Sequence, residues 1–301
     1  MRIGLALLLL AGCDQVWGLE GRVEIDAIDP DSRICEIGTA FGPGTAVEID
    51  GAYSVEAARF DPAQSIAYLS LCTPGDRTKM SCELYQSAFV RATGKLSFYS
   101  RLSVGAPMKY DSYAAITPNA QYLVFGSDRL GPVRVFVSVA NAGQFTVATE
   151  LSVIASVSYA NEPYLLGDGQ TLYLEAGMMN SSTGADIYRA RGGPPTFGGA
   201  SDLVDGVSSP QGEYAPVVSD DELEIFFASD RESTMMPPDF PLDIFRATRD
   251  AKGAAFKTPV KLDSLSTTNG IDWPVWLSPN RCDLYYINKV SDFATLLVAH
   301  R

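Results

Sequence analysis

Short runs of β-prone apolar residues, each ended by a polar turn, recur along this chain, and the stretch from Glu213 to Ala247 holds one complete set. Glu213-Tyr-Ala-Pro-Val-Val218 enters the turn Ser219-Asp-Asp-Glu222, and Leu223-Glu-Ile-Phe-Phe-Ala228 follows. Then come the triplet Ser229-Asp-Arg231, a loop rich in Pro and Met, and the run Asp243-Ile-Phe-Arg-Ala247. β-Branched and aromatic residues fill the runs while Ser, Asp and Pro separate them, which predicts three antiparallel strands joined as a meander.

The same ordered set occurs four more times. With the polar turn as anchor, Phe60-Asp-Pro-Ala63, Ile116-Thr-Pro-Asn119, Leu165-Leu-Gly-Asp168, Val218-Ser-Asp-Asp221 and Leu277-Ser-Pro-Asn280 fall in one column. Second strands align below them without gaps, at Ile66–Leu69, Tyr122–Phe125, Thr171–Leu174, Glu224–Phe227 and Asp283–Tyr286. Third strands are expected at Glu83–Tyr85, Arg134–Phe136, Asp186–Tyr188, Asp243–Phe245 and Thr295–Leu297, with a small residue two places on: Ser87, Ser138, Ala190, Ala247 and Ala299. Between sets lies a fourth signal, a Phe followed six residues later by Val or Leu: Phe41 and Val47, Phe98 and Val104, Phe145 and Leu151, Phe197 and Leu203, Phe256 and Leu262.

Self-similarity at a period of roughly fifty residues, with four short strands per period, is the mark of a β-propeller. The expected fold is therefore all-β, a five-bladed β-propeller of four-stranded antiparallel blades. The last copy stops at Arg301 after its third strand, while a strand from Phe41 to Ile49 stands alone before the first copy. If that N-terminal strand becomes the outer strand of the last blade, the ring closes and no orphan strand or open edge is left.

Units such as Ile116-Thr-Pro-Asn-Ala-Gln-Tyr-Leu-Val-Phe-Gly-Ser-Asp-Arg129, and Leu223 to Arg231 followed by Asp243-Ile-Phe-Arg-Ala247, resemble the TolB-type, WD-repeat-like propeller repeat. The likeness covers most of residues 41 to 301. Three copies depart from its Ser-Asp-Arg triplet, with Leu71-Cys-Thr73, Ala176-Gly-Met178 and Asn288-Lys-Val290 in that place. The resemblance implies a fold; propellers host binding proteins, scaffolds and enzymes alike.

At the N-terminus, Met1-Arg2 supplies one positive charge and Ile3 to Leu10 is an apolar run too short to span a bilayer, as in a signal peptide. Leu10-Ala-Gly-Cys13 resembles the lipobox of bacterial lipoproteins. That resemblance implies removal of residues 1–12, diacylglycerol on the Cys13 thiol and an acyl chain such as palmitate on its amine. Two such chains suffice for a stable membrane anchor. The alternative is an ordinary secretory signal with an incidental Cys. Asp14 resembles an inner-membrane retention signal, and either membrane of the envelope stays open. Residues 13–37 read as a tether and 38–301 as the propeller.

The chain has 301 residues and a formal net charge of −13, and 46% of its residues are hydrophobic. That supports one buried core, and the acidic balance disfavours nucleic acid and anionic headgroups as partners. Besides Cys13 there are four Cys, an even number in a chain expected to be exported. Cys72 and Cys82 are spaced to bond across a hairpin mouth, and Cys35 with Cys282 would fasten the N-terminus to the blade it completes. No Cys-x-x-Cys or Cys-His spacing favours zinc.

His300 is the only histidine, so no Ser-His-Asp or Cys-His arrangement can be assembled on the body of the fold, and no phosphate loop follows a strand. Carboxylates remain, leaving glycoside hydrolysis as the one open enzyme class. Five residues before each turn anchor stand Asp111, Glu213 and Asp272, with Glu162 and Glu56 within two places in the other copies. They are expected to ring one mouth of the central channel beside Tyr214 and Trp273. Repulsion would raise some of their pKa values, and the mouth would attract a cation such as calcium or a cationic or polyhydroxylated ligand. The alternative is that they are ordinary solvated residues at strand starts. The Ser127-Asp-Arg129 and Ser229-Asp-Arg231 triplets could as recognition residues bind an anionic or sugar ligand, but the favoured reading is structural, with the Asp capping the turn and the Arg pairing inside its blade. The loop Glu232 to Pro241, with Met235, Met236 and Phe240, reads as a contact surface or as packing over its blade. Together these features describe a lipid-anchored, monomeric envelope protein that binds a protein or glycan, with a carboxylate glycosidase as the alternative and a pure scaffold as a third reading.

Overall fold

In the computed structural model, which describes residues 33–49, 54–61, 64–73, 81–90, 93–151, 157–178, 184–197, 201–233, 241–267 and 270–301, no helix forms among the described residues. The strands make five antiparallel sheets, each ordered from the channel outward. The first blade holds Ser54–Phe60, Ile66–Cys72, Cys82–Val90 and Lys95–Arg101, and the second Asp111–Ile116, Tyr122–Ser127, Arg134–Asn141 and Gln144–Glu150. The third holds Tyr159–Leu165, Thr171–Gly177, Ala185–Arg191 and Asp202–Leu203, and the fourth Glu213–Val218, Glu224–Ser229, Asp243–Thr248 and Val260–Lys261. Ile271–Leu277, Asp283–Val290 and Phe293–His300 form the fifth blade, and Thr45–Ala46 completes it. The innermost strands stand in a closed ring, each beside the next and the fifth beside the first. This is a five-bladed β-propeller.

Burial explains why these runs read as they do. Inner strands are covered on both faces, so Ser54–Phe60 is buried at every position and carries almost no alternation. The outer strand Gln144–Glu150 is mostly exposed and polar. The small residues Ser87, Ser138, Ala190, Ala247 and Ala299 are all buried, in the third strand of each blade. The polar turns are held by their own side chains. Asp61 Oδ1 accepts the Ser65 and Ile66 N–H groups at 2.7 Å, and the Thr171 N–H donates to Asp168 Oδ1 at 2.9 Å. Such Asx-type bonds fix the tight turn between first and second strands.

Closure follows the expected route with one difference. Thr45 and Ala46 pair antiparallel with Val298 and Leu297, and the Val47 N–H donates to Leu296 O at 2.9 Å. Glu48 and Ile49 then pair parallel with Lys95 and Leu96 of the first blade, so the segment crosses from one blade edge to the next instead of forming one strand. The Phe signal is shifted in two places. Leu203 is exposed, and the buried Val204 donates its N–H to Ile187 O, as Leu262 donates to Ile244 O. In the first blade, Leu102 makes the corresponding bond to Leu84 O. Alternation along an extended chain permits only one of the neighbours Leu203 and Val204 to face inward, and a count from the Phe cannot tell which, whereas Leu102 and Val104, two places apart, are both buried.

Both disulfides form. Cys72 and Cys82 are direct cross-strand partners with Cα atoms 4.1 Å apart, and Cys35 is bonded to Cys282 across 247 residues of chain. Cys13, Asp14 and the Met235, Met236 and Phe240 loop tip lie outside the described residues.

Candidate functional site

A bulge in the inner strands decides which side chains reach the channel. In the second, third and fourth blades the pairing of first and second strands skips two residues against one, after Ser112, Asn161 and Tyr214 respectively. The first residue of each bulge, Tyr113, Glu162 or Ala215, has a left-handed φ of 54, 53 or 48°. Such a bulge re-aims the side chain it carries, and backbone held in this region is a hallmark of functional sites.

Strand pairing also corrects the expected ring of five carboxylates. Asp111, Glu213 and Asp272 lie opposite Ser127, Ser229 and Asn288. The corresponding residues in the first and third blades are Val55, opposite Leu71, and Ala160, opposite Ala176. Glu56 comes one place later, which on a pleated strand reverses the face, and Glu162 comes two places later, where the bulge after Asn161 re-aims it. Asp111, Glu213 and Asp272 are therefore fully buried inside the blades, away from the cavity that Glu56, Glu162, Tyr214 and Trp273 line. Among the described residues no group of three or more His, Cys, Asp or Glu side chains is placed to hold a metal ion.

The three buried acids fasten each incoming loop to its inner strand. Asp111 Oδ2 accepts the Ala106 N–H at 2.6 Å and Oδ1 accepts Arg129 Nη2 at 2.9 Å. Glu213 accepts the Ser209 N–H at 3.1 Å and Arg231 Nη2 at 2.8 Å. Asp272 accepts the Thr267 N–H at 2.7 Å and Asn288 Nδ2 at 2.9 Å. Burial pushes the Glu213 and Asp272 carboxyls up, without the mutual repulsion expected of a ring. The triplets have the structural role: Arg231 lies between the Phe227 and Phe245 rings while its Nη2 bonds Val207 O, and Arg129 repeats this with Phe125, Phe136 and Val104 O. Asp128 and Asp230 accept the Tyr110 and Gly212 N–H groups at 2.9 and 2.8 Å.

The central cavity has a volume of about 400 Å³ and takes side chains from all five inner strands or their leading residues. Its aromatic lining is Tyr110, Tyr113, Tyr214 and Trp273. Glu56 Oε1 is 2.8 Å from Lys289 Nζ, a buried ion pair, and the Glu56 carbonyl accepts the Trp273 indole N–H at 3.0 Å. On the opposite wall Glu162 Oε2 accepts the Ala215 N–H, and the Glu162 carboxylate is hydrogen-bonded to Glu175 behind it. Burial, then the charge of Glu162, hold the Glu175 carboxyl well above its usual range, so Glu175 keeps its proton and donates it to Glu162. Asn161 also lines the cavity; among the described residues no donor bonds its buried Oδ1, which lies over Gly126, where a Cβ would come within 2.0 Å of it.

Tyr110, Tyr113, Asn161, Glu175 and Lys289 were not singled out by the sequence. A signal for two of them existed. Pairing places Lys289 where Asp128 and Asp230 stand, and Glu175 immediately precedes the altered triplet of the third copy, so both mark departures from the repeat.

These features define a closed propeller with a polar, aromatic-lined pocket on its axis. No protein-family model matches the chain, and no curated protein sequence does. Solved structures similar to it include a TolB candidate from Agrobacterium tumefaciens, 15% identical, with a TM-score of 0.50 over 84% of this chain and 77% of that one. A glycosyl hydrolase from Bacteroides ovatus is 11% identical, with a TM-score of 0.50 over 86% and 93%. A candidate glycoside hydrolase from the same species is 9% identical, with a TM-score of 0.52 over 87% and 96%. At these identities the likeness shows the shared propeller fold.

Proposed function

We propose that this protein is a cell-envelope binding protein whose axial cavity takes a polyhydroxylated ligand, of the glycan class. The observation that carries the reading is the pairing of four aromatic rings with fixed acceptors in one pocket. Sugar C–H faces pack on aromatic rings, while hydroxyl groups donate to carboxylates and amide oxygens such as Glu162 and Asn161. Two disulfides belong with an oxidising compartment. On this reading residues 1–12 are a signal peptide, Cys13 carries the lipid and residues 13–37 tether the propeller to the membrane.

Glycoside hydrolysis is the second reading, favoured by the proton held on Glu175 and by the hydrolase structures among the similar folds. Glu162 and Glu175 are within hydrogen-bond distance of each other, whereas glycosidase carboxyls stand about 5 Å apart when retaining and more when inverting. Glu56 is already paired with Lys289. Binding without turnover is therefore the favoured outcome. A glycan array together with chromogenic glycosides tests it. Array binding that Tyr214→Ala weakens, with no glycoside cleaved, supports the proposal; turnover selects the hydrolase, and no glycan bound at any concentration rejects both.

A further inference from the structure

The walls of the axial cavity carry more negative than positive charge. Among the described residues its lining holds the carboxylates of Glu56, Asp128 and Glu162 and a single cation, Lys289. Lys289 is spent on Glu56, with Nζ 2.8 Å from Oε1 and both side chains buried. Asp128 and Glu162 remain, each half-buried where it meets the cavity. Asp128 Oδ1 accepts the Tyr110 N–H at 2.9 Å, and among the described residues no donor bonds its Oδ2. Glu162 accepts the Ala215 N–H and the Glu175 proton, and neither donor carries a charge that would cancel its own. Two cations stand outside the lining: Arg59 lies 5.7 Å from the centre of the Tyr113 ring, and Lys109 Nζ is 3.5 Å from the Asp128 carbonyl oxygen. The carboxylates still prevail at the rings. Burial first, and then carboxylate charge, pushes the Tyr110, Tyr113 and Tyr214 hydroxyls up, with Glu162 acting on all three.

An aromatic face attracts a cation through its quadrupole, and a partly desolvated cavity with surplus carboxylate strengthens that attraction. A neutral sugar would use the rings and leave the surplus charge unanswered. We propose that the axial cavity selects an amino sugar, whose ammonium group pairs with Asp128 and Glu162 while the sugar ring packs on the aromatic wall. The proposal deepens the glycan reading and rests on it for the sugar; the preference for an ammonium group stands on the charge of the lining.

The test measures binding of D-glucosamine, D-glucose, N-acetyl-D-glucosamine and choline by calorimetry, at matched ionic strength and about pH 6, where the glucosamine amine carries its proton. Glucosamine is expected to bind the wild type about tenfold more tightly than glucose, the scale of one desolvated cation–π or charge-assisted contact. N-Acetylglucosamine, whose nitrogen is neutral, is expected to show no such gain. Asp128→Asn/Glu162→Gln keeps an oxygen for the Tyr110 and Ala215 N–H groups, and is expected to bind glucosamine and glucose alike. Thermal melting shows whether that variant is folded, and the three sugars on the wild type decide the charge preference without it. If glucosamine and glucose bind the wild type alike, or N-acetylglucosamine gains as much as glucosamine, the ammonium proposal fails and the glycan reading stands. A folded double variant that keeps the tenfold difference would overturn the assignment to Asp128 and Glu162. If choline binds and no sugar does, the glycan reading fails, and the ammonium site stands only if the double variant loses choline. If none of the four binds, both readings fail.

Discussion

Replacing Cys35 and Cys282 together by serine removes the clasp between the N-terminal segment and the fifth blade. The bonded residues are 247 apart in sequence, whereas Cys72 and Cys82 are only 10 apart. In the chain-entropy account a loop of the first size is worth about 5.5 kcal/mol and one of the second about 2.7 kcal/mol, both upper figures. The clasp is not alone. Arg301 Nη1 and Nη2 reach Glu224 Oε1 and Oε2 at 2.9 and 2.7 Å, both side chains are fully buried, and the guanidinium lies 4.6 Å from the centre of the Phe41 ring. These contacts persist without the disulfide, so the ring stays closed in the folded state. The variant should fold, with the loss appearing in the unfolded chain's extra freedom. Urea unfolding should lose roughly twice as much free energy in Cys35→Ser/Cys282→Ser as in Cys72→Ser/Cys82→Ser, and at about 2–4 °C per kcal/mol the melting temperature should fall by more than 10 °C. Equal losses in the two variants would refute the loop-length reasoning, and a clasp variant within about 1 kcal/mol of wild type would show that the Phe41 and Arg301 contacts carry closure.

Arg231→Ala should cost about 3–5 kcal/mol in chemical denaturation, because Glu213 would be left buried without its cation, and should leave glycan affinity unchanged; weakened binding in a fully folded variant would return Glu213 to the ligand site. Glu175 is held protonated in the folded state at pH values where the unfolded carboxyl ionises, so its contribution falls as pH rises from the unfolded value of about 4.3 towards the raised folded one. Glu175→Gln should flatten that decline in pH-dependent unfolding, and an unchanged slope would count against the shared proton. Lys289→Met should leave Glu56 buried and unpaired, lowering stability by about 3–5 kcal/mol, and Lys289→Met/Glu56→Gln should recover most of that loss in the same assay.

The repeat was legible because propeller blades reuse one solution at the same places. Asp61, Thr117, Asp168, Ser219 and Ser278 all hold the first turn with side-chain oxygens, and Ser87, Ser138, Ala190, Ala247 and Ala299 are all buried at one point of the third strand. The parallel pairing of Glu48 with Lys95 was not legible, since a two-residue strand on an outer edge carries no periodicity. The site was half legible for a related reason. A column of like residues identifies what the blades share, and in Asp111, Glu213 and Asp272 they share the fastening of a loop to an inner strand.

Residues that face the axis have the opposite property. Five copies meet there, and a ring of one repeated side chain would crowd like groups around a narrow channel, so what lines the cavity must differ from blade to blade. At the bulge the chain has Tyr113, Glu162 and Ala215, and just before it Asn161 and Tyr214, with Glu56 and Trp273 in the first and fifth blades. Glu56 meets Lys289 only because the fifth copy replaces the aspartate of its triplet. In a repeat protein the scaffold is therefore read from agreement between copies. The ligand site is read from their disagreement, at the places where a bulge or an altered triplet turns a side chain towards the axis.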